Sequence, residues 1–167
     1  MIIYPYQIYF YLIKKPGDYF KNIEISWEQK NIIPSIDMYF RKFLWRCDKN
    51  EEDSILYGNE KETFIKALLN DNEKCEIMFA FDLRTVKEEL FNITAEFASF
   101  KEACFLTPDK EIKRPSFNTL MEITVNSAAC KYCTEEEPKY KALKDEFLVS
   151  EIYFWEKYVK KQDKIVP

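Results

Sequence analysis

An α+β fold, in one compact domain over residues 1–167, is what the sequence predicts, and three observations predict it. Segments with apolar residues at the 3.6-residue period of a helix occur in about equal number with short alternating or continuously apolar segments of strand character. No internal repeat, low-complexity tract or long linker divides the chain. With 47% apolar and 17% aromatic residues, 167 residues can bury about two thirds of their unfolded surface and need no disulfide or metal to fold. About four helices, the longest over 135–161 near the C-terminal end, and a small, mostly antiparallel sheet are expected.

Residues 2–13, rich in Ile, Tyr and Phe, read as a strand, and their nearly continuous apolar character suits a central strand or one facing two layers. Pro16-Gly17-Asp18 is a turn signal. Over 22–29, Ile23, Ile25 and Trp27 alternate with polar neighbours, the pattern of a half-buried strand. Ser35 is a good N-cap for a helix carrying Ile36, Tyr39, Phe40, Phe43, Leu44 and Cys47 on one stripe. A charged loop, 48–54, follows.

Asn59 with Glu62 has capping-box spacing and opens a second short helix through Phe64, Ile65, Leu68 and Leu69. Residues 75–83 read as a buried strand. Thr85 with Glu88 starts an amphipathic helix about nineteen residues long, with Val86, Leu90, Ile93, Phe97, Phe100 and Cys104 in phase. Residues 106–116, with two prolines, form a loop, and 117–130 is open between the two states. There "EITV" favours strand, whereas Ser116 and Leu120-Met121 favour a helix start. Thr134, Glu135–Glu137 and Pro138 together start the last helix, whose apolar face runs from Tyr140 to Val159 and whose end carries Lys157, Lys160 and Lys161.

The chemistry of the chain is defined by what it lacks. There are no histidines, which removes His-based acid–base catalysis, Ser-His and Cys-His nucleophiles and His metal ligands. Two glycines, Gly17 and Gly58, are too few for a phosphate-cradling loop. The acidic runs 51–53 and 135–137 have no catalytic motif around them and read as solvated. No enzyme is expected.

Five cysteines are scattered and odd in number, and the apolar N-terminal stretch of about thirteen residues is too short to span a bilayer and has no signal-peptide features. A cytoplasmic or host-cell-interior location with reduced thiols is expected, without membrane association. Cys130 and Cys133, at C-x-x-C spacing, are the candidate metal ligands, and structural zinc is the one metal they suit. Further ligands would come from Cys47, Cys75, Cys104 or a carboxylate. The glutamates that follow oppose a reactive thiolate, so packed thiols are the bland alternative.

The net charge of −4 argues against a broad nucleic-acid surface and steers the chain toward a partner with a basic surface. Lys110, Lys113 and Arg114 beside Phe117, together with Tyr132, are the candidate partner-binding residues. Trp27, Tyr57, Tyr132 and Tyr153 fall off the apolar stripes, as interface anchors do. The expected function is a non-enzymatic intracellular binding or regulatory protein, of the inhibitor, immunity or viral and parasite modulator type, that occupies or stabilises a larger partner. The alternative is a factor associated with a ribosome or other RNP, using the 106–116 loop against RNA.

Overall fold

The computed structural model describes residues 2–17, 23–47 and 53–135. In chain order these form β1 (Gln7–Lys14), β2 (Ser26–Glu28), α1 (Gln29–Phe40), β3 (Arg46–Cys47), β4 (Ser54–Gly58) and β5 (Phe64–Leu69). Then come β6 (Lys74–Asp82), α2 (Glu88–Phe100), β7 (Ala103–Leu106), β8 (Ile112–Lys113), α3 (Phe117–Val125) and α4 (Ala128–Glu135). The strands make one antiparallel sheet in the order β3-β4-β5-β6-β1-β7-β8, and β2 pairs with the start of β6. The α+β class is as the sequence predicts, with a wider sheet.

The two continuously apolar strands lie side by side at its centre, with Phe10 opposite Phe79 and Leu12 opposite Ile77. Alternation divides their side chains between two faces. One face, with Ile8, Phe10, Leu12, Phe79 and Phe81, receives the four helices of the described residues. Phe10 stacks on Phe79 at 5.3 Å and meets Phe105 edge-on at 4.9 Å. Phe40 of α1 and Phe97 of α2 close over Phe79 at 5.8 and 6.3 Å. Such offset and edge contacts add to the burial of each ring.

The opposite face holds a smaller cluster of Phe64, Met78 and Ala80 bordered by Ile3, Tyr9, Tyr11 and Leu56. At one end of the central pair Asp82 is fully buried and accepts three bonds from the Arg84 guanidinium, at 2.9, 3.2 and 2.8 Å. That guanidinium lies 3.5 Å from the centre of the Tyr6 ring.

Several local expectations give way to tertiary pairing. α1 begins at Gln29, ahead of Ser35, and carries Pro34 inside it, so the Lys30 carbonyl loses its helical donor. The Ser35 hydroxyl, expected as a cap, donates back to the Asn31 carbonyl at 3.1 Å. The helix ends at Phe40, where the chain turns to bury Leu44 and start β3.

Residues 64–69, expected as a helix, are a strand bonded to β4 on one side and β6 on the other. Asn59 makes the hairpin turn, its side-chain oxygen accepting from the Lys61 amide at 2.9 Å, and is not the cap of a helix. A six-residue apolar run fits either state by pattern, and two strand partners decide it.

Thr85 caps nothing: α2 starts at Glu88 with Lys87 in the cap position and no side-chain cap bond. It stops at Phe100, so Cys104 belongs to β7. Residues 117–125 are helical, capped by the Ser116 hydroxyl on the Thr119 amide at 3.1 Å. Ser127 caps α4 in the same way on the Cys130 amide at 3.0 Å, so helix precedes Thr134. The helix expected over 135–161 lies outside the described residues beyond Glu135. Among the described residues no helix is long and apolar enough to cross a membrane.

Candidate partner-binding surface

The turn after α1, residues 41–46, reads "RKFLWR" and presents a tryptophan to solvent. Its backbone is held at both ends. The amides of Phe43 and Leu44 donate to the Phe40 carbonyl at 2.9 Å, and the Gly58 amide donates to the Trp45 carbonyl at 2.7 Å. Leu44 is buried beneath the turn, while Trp45 beside it is 85% exposed. One turn back along α1, Met38 is 60% exposed.

Trp45 and Met38 share a groove of about 630 Å³ with Pro34, Asp37, Arg41 and Tyr57. The floor is a hydrogen-bonded network. Asp37 accepts from the Tyr57 hydroxyl at 2.6 Å and pairs with Arg46 at 3.4 Å. Burial, followed by the bond to Asp37, raises the pKa of that hydroxyl, so it stays a donor. The other side of Trp45 borders a second groove of about 510 Å³ that includes Thr85, Val86 and Leu90.

An indole this exposed, on a backbone this constrained, can act as a preorganised anchor for a partner's surface. No family model matches this chain, and comparison with curated proteins and with solved structures finds no match.

The residues singled out from sequence lie elsewhere. Lys110 and Arg114 are exposed. Lys113 is held between Glu111 and Glu122 at 3.2 and 3.1 Å, and these hydrogen bonds raise its pKa. Phe117 packs edge-on against Phe91 at 6.2 Å, and Tyr132 is half-buried against the core. The structure thus joins Lys113 to two glutamates and turns the two aromatics inward.

Trp27 and Tyr57, off the stripes in sequence, are buried; the Trp27 indole N–H donates to the Leu12 carbonyl at 2.8 Å. Tyr153 lies outside the described residues. Trp45 was legible in one respect only: it breaks the stripe of Phe43, Leu44 and Cys47 and is bracketed by two of the chain's few arginines.

Cys130 and Cys133 sit one turn apart on α4, both buried. Among the described residues no group of three or more Cys, Asp or Glu side chains is gathered as for a metal. Burial, reinforced by Asp82 and Cys130, pushes the Cys133 thiol up to about 12, against the lowering effect of Arg84. Burial alone pushes Cys75 up to about 11. A protonated thiol in the core packs well and attacks or ligates poorly.

The sign of the linkage follows. Both thiols stay protonated in the folded chain at pH values where the unfolded chain ionises, so their contribution is complete below the usual 9.0 and is lost as pH rises toward 11 and 12. The urea midpoint is therefore expected to fall between about pH 8 and about pH 10.5. An unchanged midpoint over that interval would count against this assignment.

Proposed function

We propose that the protein acts by binding a macromolecular partner through the face centred on Trp45, and not by catalysis. The 85% exposure of Trp45 on a turn fixed from both sides is the observation that carries this reading. Trp is the residue type most enriched among interface residues of high energetic weight, and a fixed backbone lowers the entropy lost on docking. Met38 and Arg41 beside it are also favoured interface types. The absence of histidine and the scarcity of glycine support a non-catalytic role. The net charge of −4 biases the approach of a basic protein partner only at long range, while at contact the indole is the anchor and Arg41, Lys42 and Arg46 around it suit acidic or polar groups of that partner. Inhibitors and modulators that occupy a larger partner work in this way.

Affinity capture from the source cell tests it, using wild type, Trp45→Ala, and a Lys110→Glu/Arg114→Glu variant, each with and without nuclease. One protein partner is expected, insensitive to nuclease and unaffected by the charge reversals. Trp45→Ala is expected to weaken capture by about 2 kcal/mol or more, roughly 30-fold in Kd, while changing folding stability by less than about 0.5 kcal/mol. Full capture by Trp45→Ala would overturn the proposal. Recovery of rRNA with ribosomal proteins, abolished by the charge reversals, would establish the RNP reading in its place.

A further inference from the structure

Strand β1 has a neighbour on each side, but not over the same residues. Toward β6 its ladder runs from Gln7 to Leu12, whereas toward β7 it begins at Tyr11 and runs to Lys14. Successive residues of an antiparallel strand direct their N–H and C=O groups to opposite sides. The Leu83 amide donates to the Tyr6 carbonyl at 3.0 Å, which turns Ile8 and Phe10 toward β6 as well. The Lys15 amide donates to the Glu102 carbonyl at 3.0 Å, which turns Gln7 and Tyr9 toward the side of β7. There the register would set Pro108 opposite Tyr9, and proline has no N–H to donate. The chain has also turned away by that point: the Thr107 amide donates to the Glu111 carbonyl and the Lys110 amide to the Thr107 carbonyl, both at 2.9 Å. Among the described residues, the Tyr9 N–H and C=O and the Gln7 C=O therefore have no strand beside them.

A cavity of about 610 Å³ opens along this unpaired edge. Gln7, Ile8 and Tyr9 form one wall, and the tip of the β7–β8 hairpin, the end of α3 and the start of α4 form the others. Ile8, Ile123, Ala128 and Ala129 make part of the lining apolar. Its charged groups are Asp109, Glu111, Glu122 and Lys113, and Lys113 is held by the two glutamates. Three carboxylates thus stand against one ammonium group, a lining complementary to added positive charge. Residues 7–10 extend about 13 Å, room for about four residues of an extended chain. An unpaired strand edge accepts a further strand through main-chain bonds, and the pockets beside it set the sequence preference.

We propose that a basic, extended segment of a protein partner adds to the sheet at this edge. Its main chain donates to the Tyr9 and Gln7 carbonyls and accepts from the Tyr9 amide. A branched apolar side chain fills the hollow at Ile8, Ile123 and Ala129, and Lys or Arg side chains reach Asp109, Glu111 and Glu122. The site lies toward β8, whereas Trp45 precedes β3 at the other end of the strand order. It is a second contact and does not rest on the Trp45 face.

NMR of the isotope-labelled full chain tests this, with the acetylated and amidated peptide Val-Lys-Val-Arg-Val as the probe. In the free protein the Tyr9 amide is expected to exchange with solvent at least about tenfold faster than the amides of Ile8 and Phe10. Added peptide is expected to slow that exchange and to shift the signals of Tyr9, Glu122 and Ile123. Methylating every backbone nitrogen of the peptide, or replacing its Lys and Arg by Glu, is expected to weaken binding by about tenfold or more. Asp109→Lys combined with Glu122→Lys, both at exposed positions, should have the same effect, while Trp45→Ala leaves binding of the peptide unchanged. A Tyr9 amide as protected in the free chain as its two neighbours would mean that the edge is already paired, and would overturn the proposal. Failure of the peptide to bind would overturn it too, as would equal binding of the methylated or acidic peptide, or loss of binding in Trp45→Ala.

Discussion

Phe79→Ala is expected to be the most damaging single truncation of the core, lowering stability by about 3–5 kcal/mol. Phe79 is fully buried and touches rings from three elements: Phe10 of β1, Phe40 of α1 and Phe97 of α2. Removing it opens a cavity where sheet and helices meet, and the neighbouring rings, already in edge and offset contact, cannot collapse into it cheaply. The melting temperature should fall by on the order of 10 °C. Phe100→Ala is the control, since that ring is 61% exposed and its loss should cost less than about 1 kcal/mol. Equal effects for the two would mean that the central stack is not the core.

Gly58→Ala is expected to cost about 2–4 kcal/mol and to abolish partner capture together with stability. Gly58 has φ +92°, which an L side chain rarely adopts. A Cβ there would also meet the Thr63 carbonyl oxygen at 2.4 Å and Leu44 Cδ2 at 3.0 Å. The clash is with backbone, so no rotamer change relieves it. Because the Gly58 amide donates to the Trp45 carbonyl, strain here is transmitted to the turn that presents the indole. Gly17→Ala, where a Cβ would meet nothing within 4 Å, should change stability by less than about 0.5 kcal/mol. Denaturant unfolding of both variants, with capture assayed alongside, separates the two sites.

Much of the fold was readable where a segment's pattern and its surroundings agree. β1 is apolar without a break from Ile8 to Ile13 and β6 from Ile77 to Phe81, and both are central strands. α2 shows the helical period, and its buried Leu90, Phe91, Phe97 and Ala98 follow it. The segment 64–69 misled because six apolar residues carry too little periodicity to separate helix from strand. Its strand state comes from the hydrogen bonds of β4 and β6 on either side.

The candidate site was less legible than the fold. Trp27 and Tyr57 read as surface anchors because their partners, the Leu12 carbonyl and Asp37, lie 15 and 20 residues away. Trp45 passed as part of a helix because the end of α1 at Phe40 depends on Leu44 being drawn into the core. The C-x-x-C pair looked like chemistry in isolation, and its place on α4 buries both thiols.

Composition and periodicity, which are local properties of the chain, established its α+β class, its central strands and the absence of any histidine side chain. Which aromatic is buried and which meets water was decided by register and packing. A one-residue shift in register exchanges the two faces of a strand, and a side chain's burial depends on neighbours far away in sequence. That is why Trp27 lies in the core and Trp45 outside it.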